Sequence, residues 1–128
     1  TIRRRGAIVW RESIKPGTHI ACIGADMPDK QELFADVFRG AKIVNDSIDL
    51  CVKNGETHHA VEEGIIQTSD IYGEIGQIIL GQKPGRENDQ EITIFDTVGM
   101  AVQDVATAAM LYRGALEKGL GTKYAFFA

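Results

Sequence analysis

Apolar residues in this chain fall into short continuous runs alternating with longer spaced sets, and the two patterns predict different elements. Residues 7–10 form a short apolar run, Lys15-Pro16-Gly17 signals a turn, and residues 19–24 are nearly all apolar. A run of that kind, bounded by Pro-Gly and Gly, suits a strand buried on both faces. Pro28 fits a first helical turn, and Leu33, Phe34, Val37 and Phe38 recur at helical spacing up to Gly40, so a helix is expected there. Residues 42–46 read as another strand. Strand, helix and strand in that order are the pattern of a parallel βαβ unit.

A second helix is predicted over residues 47–53, stopping at Asn54-Gly55, and residues 56–67 read as polar and irregular. Ser69 and Asp70 offer an N-cap and a first-turn acid for a helix whose face carries Ile71, Ile75, Ile78 and Ile79 and which ends at Gly81. Residues 82–90, QKPGRENDQ, read as a solvated loop. A third strand is expected at 92–95, and Asp96-Thr97-Val98-Gly99 turns into a long helix, 100–118, closed by Gly119. That helix sets Val102, Val105, Ala106, Ala109 and Leu116 on one side. Ala101, Ala108 and Ala115 widen the apolar surface, so another helix can approach it closely. No internal repeat or low-complexity segment is visible.

Composition narrows the setting. With 128 residues, 44% hydrophobic and 25% charged, the chain is one ordinary globular domain at most. A net charge of -4 argues against a nucleic-acid partner, which needs a basic face; Arg3-Arg4-Arg5 is the one dense basic run and reads as a solvated terminus. Cys22 and Cys51 lie in apolar surroundings and read as reduced core residues of a cytoplasmic protein rather than a disulfide framework. No apolar run approaches the roughly 20 residues needed to span a bilayer, and the N-terminus has no signal-peptide core. The first residue is not Met, which suggests a piece of a longer chain.

In an open parallel sheet, ligands bind beyond the carboxyl ends of the strands. Two segments end strands there with small and polar residues: Gly24-Ala25-Asp26 and Asp96-Thr97-Val98-Gly99. The glycines allow close backbone approach, and the helix starts that follow offer N–H groups. By position alone Asp26 is more simply the N-cap of a helix at Pro28, and Asp96 and Thr97 are good cap types too. His58-His59, with Glu56, Glu62 and Glu63 nearby, offers metal-ligand chemistry, but adjacent loop residues seldom converge on one ion, and no metal is expected. His19 reads as a hydrogen-bonded core or crevice residue. The chain has no Walker-type loop, Gly-x-Ser-x-Gly or Gly-x-Gly-x-x-Gly.

The stretches KPGTHIACIGADMPDKQEL and IYGEIGQIILGQKPGRENDQEITIFDTVGMAVQDVATA closely resemble the C-terminal part of the ornithine cyclodeaminase/mu-crystallin family, which includes an archaeal-type alanine dehydrogenase and ketimine reductases. The resemblance runs in order from about Thr1 to about Leu116. It implies an α/β fold in which 1–99 is the C-terminal half of an NAD(P)-binding Rossmann domain. Residues 100–128 would then be a helix and tail returning to a substrate and dimerisation domain absent from this chain. It also implies a homodimeric full-length enzyme using NAD, with NADP possible, on a small amino-acid substrate, with no membrane partner. Asp26 matches the family's acidic residue beside the substrate α-carbon, and Thr97, Val98 and Gly99 match the segment beside the nicotinamide, where Ser is usual at the position of Thr97. The resemblance therefore favours catalyst over cap for Asp26.

Two departures stand out: Ala21 where Asn or Ser is common, and Asp29 where Gly usually follows the proline. The second is expected to raise the Asp26 pKa by like-charge repulsion if both face the crevice. The activity favoured by the resemblance is an ornithine cyclodeaminase-like conversion of ornithine to proline and ammonia through internal hydride transfer. Alanine dehydrogenase or ketimine/pyrroline-carboxylate reductase activity is the alternative, and a mu-crystallin-like small-molecule binder the reading from another class. The family's glycine fingerprint lies upstream, so the chain by itself is expected to be inactive.

Overall fold

The computed structural model describes residues 5–125. The chain divides into two compact units, the first running to Val98 and the second beginning at Gly99. The first unit is α/β, and its strands pair only in parallel. Strands β1 (Arg5–Val9) and β3 (Gln31–Leu33) make a small two-stranded sheet. The remaining strands, β2 (His19–Cys22), β4 (Lys42–Asn45), β5 (Gly73–Glu74) and β6 (Thr93–Asp96), form a four-stranded sheet in the order β2-β6-β4-β5. Helices α1 (Ile48–Asn54), α2 (Glu56–Glu62) and α3 (Ile75–Ile79) belong to this unit, and α4 (Ala101–Glu117) to the second. The parallel sheet, flanking helices and long terminal helix are the fold class the sequence predicts.

The pairing register sets the site. Cys22 of β2, Asp96 of β6 and Asn45 of β4 are aligned across three neighbouring strands. The residues that follow each strand, towards Asp26, Thr97 and Asp46, therefore leave the sheet along one carboxyl edge. Phe38, Ile43, Ile94 and Val37 are all but sealed from solvent and form the centre of one core with Leu33, Ala60 and Ile71. Burial of side chains of this size stabilises by about 1.5–3 kcal/mol each.

Four expected elements differ, each for a tertiary reason. No helix starts at Pro28. Met27, Pro28, Asp29 and Lys30 make a turn closed by the Lys30 N–H to the Met27 carbonyl at 3.1 Å, with Pro28 at the position where its φ is already set. The chain then extends as β3 against β1, with Phe34 stacked on Trp10 at a centroid distance of 3.9 Å. A single 3-10 turn, Ala35–Phe38, buries Ala35, Val37 and Phe38. The spacing that imitates a helix thus combines a strand end with one tight turn.

The stretch expected to be irregular contains α2, whose Ala60 enters the core. In place of the helix expected from its cap at Ser69 to Gly81 stand a 3-10 turn (Thr68–Asp70), β5 and α3, because Gly73 and Glu74 pair with Val44 and Asn45. Strand β2 is not buried on both faces: it lies at the end of the four-stranded sheet, and His19 and Ala21 are exposed. Arg3 and Arg4 fall outside the described residues.

In the second unit, α4 has no buried residue, and Val102, Val105, Met110, Leu111 and Leu116 are each more than half exposed. No helix among the described residues is long and apolar enough to cross a membrane.

Candidate functional site

Asp26 follows β2 across a short link in which Ala25 is buried. A Cβ on Gly24 would run into the Glu32 carboxylate. The space above the glycine is taken by the end of the Glu32 side chain rather than left open for a ligand.

Asp26 is exposed, and its carboxylate accepts a hydrogen bond from the Lys30 ammonium four residues on. With no helix starting at Pro28, the cap reading has nothing to cap. Asp29 does not have the expected effect: the bond from Lys30 holds the Asp26 carboxyl below the usual carboxylate range, partly offset by desolvation. At neutral pH Asp26 is a carboxylate with an ammonium group already on it.

The second candidate segment continues β6. The Thr97 N–H donates to the Cys22 carbonyl at 3.1 Å, tying this segment to the strand that leads to Asp26. The Thr97 hydroxyl donates to Asp46 Oδ2 at 2.5 Å. Asp46 Oδ1 accepts the Ser47 N–H at 2.8 Å and faces Cys51 Sγ at 3.2 Å. Thr97 and Val98 are half-buried. Gly99 opens the second unit with φ of 81°, and a Cβ built there would meet nothing within 4 Å.

Beneath the edge lie two acidic side chains that the sequence offers only as a cap type, Asp96, and as a neighbour of the histidine pair, Glu56. Asp96 is sealed from solvent and accepts the Thr57 N–H at 2.8 Å and the Thr57 hydroxyl at 2.7 Å. Burial raises its pKa against the pull of these bonds. Glu56, the first residue of α2, is 1% exposed and takes the Glu32 N–H at 2.5 Å and the Leu33 N–H at 3.0 Å. Burial pushes its pKa up to about 7, although the two N–H groups pull the other way. Burial likewise raises both cysteine thiols above their ordinary range, which leaves Cys22 and Cys51 as inert, free core residues. A usable sequence signal existed: Gly55-Glu56-Thr57 opens a stretch with Ala60 and Val61 at helical spacing.

The histidines serve as struts. His19 Nδ1 lies 2.7 Å from the Thr93 hydroxyl at the exposed face of β2. The ligand-type atoms of His58, His59 and Glu62 lie within 4.8 Å of one another. Each ring, however, turns one nitrogen to a backbone carbonyl, His58 Nδ1 to Val52 at 3.0 Å and His59 Nε2 to Lys30 at 2.7 Å.

Comparison with known proteins places this geometry among relatives. An alanine dehydrogenase of Archaeoglobus fulgidus is 46% identical over 99% of this chain and 39% of its own length. A delta(1)-pyrroline-2-carboxylate reductase of Bacillus cereus is 41% identical over 92% of this chain and 37% of its own. Among solved structures, an archaeal alanine dehydrogenase dimer with bound NAD superposes with a TM-score of 0.86 at 47% identity, covering 96% of this chain and 38% of that one. The chain therefore spans about two-fifths of the length of these relatives. The model of one family matches residues 1–119, the whole sheet and the long helix included, and the chain belongs to that family, the ornithine cyclodeaminase/mu-crystallin family.

Proposed function

We propose that this chain is the later part of an NAD-dependent oxidoreductase acting on a small amino or imino acid, of the alanine dehydrogenase or pyrroline-carboxylate reductase kind. The observation that carries the reading is the 46% and 41% identity, over nearly the whole chain, to enzymes with those two names. Ornithine cyclodeamination, favoured by the resemblance alone, has weaker support: solved structures of cyclodeaminase type are only 20–21% identical and speak for the fold.

The residues present suit a nicotinamide cofactor at Gly99, where the backbone has open space, and at Thr97 and Val98, which are half-buried beside it in sequence. When bound, NAD(H) supplies or takes the hydride at the substrate α-carbon. NADP is chemically equivalent for this step.

Asp26 is the proton-transfer group. It already carries the ammonium of Lys30, so the α-ammonium of an amino acid is a chemically matched occupant that exchanges with it. With the amine in place, the carboxylate takes a proton from nitrogen or from an attacking water, and returns it in the reverse direction. A positioned group of this kind typically contributes about 10²–10⁴ in rate. Thr97, bonded to Asp46, seats the neighbouring segment.

In this reading residues 1–99 complete the cofactor domain, and residues 100–128 return to a substrate and dimerisation domain in the full-length homodimer. Two buried free thiols fit a cytoplasmic location. The test is a substrate panel on the full-length protein. NADH oxidation with pyruvate plus ammonia, or with a cyclic imino acid, supports the reading. Proline formation from ornithine with no net change in NADH, and no activity on the other substrates, overturns it in favour of cyclodeamination.

A further inference from the structure

Helix α2 reaches the Asp26 segment at three backbone atoms. Glu56 Oε1 takes the Glu32 N–H at 2.5 Å, Glu56 Oε2 takes the Leu33 N–H at 3.0 Å, and the His59 ring donates from Nε2 to the Lys30 carbonyl at 2.7 Å. Glu56 and His59 are three residues apart and so share a helix face. The same helix start is anchored at the other candidate segment, because Thr57 donates twice to Asp96, the residue before Thr97. A short helix thus spans the carboxyl edge, gripping the turn that ends at Lys30 with one pair of side chains and the end of β6 with the next.

We propose that Glu56 and His59 are positioning residues for Asp26: they hold the backbone of residues 30–33 so that the Asp26–Lys30 pair is presented at a set place beyond β2. The assignment rests on Asp26 being the proton-transfer group. The turn is closed by the backbone bond from Lys30 to Met27, and Asp26 and Met27 to Asp29 are all exposed. The grip from α2 adds to the pairing of β3 with β1 and acts directly on Lys30, the residue whose ammonium holds the Asp26 carboxylate. A buried carboxylate is costly unless its oxygens are matched to donors, and here each oxygen of Glu56 has one N–H. Beside burial, the charges of Asp96 and Glu32 oppose ionisation of Glu56. The partners of its oxygens are the two amides. His59 is half-buried, so a change there probes position with little loss of core.

Misplacing a catalytic group by about 1 Å can cost about 10² in rate. The experiment uses the full-length enzyme with its best substrate from the panel. His59→Leu removes the donor to Lys30; His59→Gln keeps an N–H that can reach the carbonyl. The expected result is that His59→Leu lowers kcat about tenfold or more with KM for NADH within about twofold, that His59→Gln restores most of kcat, and that Glu56→Gln also lowers kcat. Hydrogen exchange over residues 26–34 should be faster in His59→Leu and in Glu56→Gln than in the parent. Asp26→Asn is run beside them. Should Asp26→Asn keep full turnover, the proton-transfer reading fails and this assignment with it. Should Asp26→Asn be crippled while His59→Leu turns over within about threefold of the parent, only the positioning role is overturned. Equal loss in His59→Leu and His59→Gln, or a loss that appears in KM for NADH instead of kcat, overturns it as well.

Discussion

At the scale of single residues, the account turns on two carboxylates in opposite environments. Asp26 is exposed and held ionised by Lys30; Glu56 is sealed and pushed towards neutrality. Asp26→Asn keeps the shape and removes the base, so turnover of the full-length protein should fall by about 10² or more, with stability and NAD+ binding near normal. Steady-state kinetics and calorimetry read both, and turnover within about threefold of the parent would move the acid–base group elsewhere.

For Glu56 the prediction is thermodynamic. Its folded pKa, about 7, lies above the ordinary 4.5. Its contribution to stability is therefore fully present below about 4.5 and is lost as pH rises through about 7, by roughly 3 kcal/mol at most. Denaturation midpoints of the parent should fall across that window, and those of Glu56→Gln should fall distinctly less. Identical pH slopes would mean that Glu56 titrates normally. The sequence carries a helix-start signal at Gly55-Glu56-Thr57, but only the fold shows that Glu56 is buried against two amides.

At the scale of elements, what could be read depended on whether a segment's partners were local. Strands β2, β4 and β6 and helix α4 are foreseen within a residue or two, because their apolar runs and closing glycines carry the signal by themselves. The segment after Asp26 misleads because Leu33, Phe34, Val37 and Phe38 are spaced as in a helix, while Val9 and Trp10, distant in sequence, impose a strand. β5 is invisible for the same reason: two residues become a strand only by pairing with β4. The strand ends that lead to Asp26 and to Thr97 are foreseen, whereas the helix that grips them is not.

The segment before α4 has its own test. Gly99 combines a left-handed φ of 81° with open space above it. Gly99→Val adds strain of about 1–3 kcal/mol and places a branched side chain in that space. Affinity for NAD(H) in the full-length protein should fall at least about tenfold in titration calorimetry. A folded variant with unchanged affinity would remove this segment from the cofactor site.

At the scale of the whole molecule, the chain is about two-fifths of the length of its relatives, and it exposes two apolar or unpaired surfaces. α4 exposes a row of large apolar side chains, and β2 closes one end of the sheet with one face half open. Unpaired strand edges and apolar faces of this kind invite association. The 128-residue chain alone should therefore self-associate in light scattering, unless the rest of the protein is supplied, and bind NAD+ weakly at best. A stable monomer at high concentration would contradict that expectation.

The central claim, that the full-length protein moves hydride between NAD(H) and the α-carbon of an amino or imino acid, has a direct measurement. The protein is incubated with NADH deuterated at the transferred position and with pyruvate plus ammonia or a cyclic imino acid, and the amino-acid product is examined by mass spectrometry and NMR. The account predicts one deuterium per product molecule, bonded to the α-carbon. Product free of deuterium, or no product from either substrate, would contradict it.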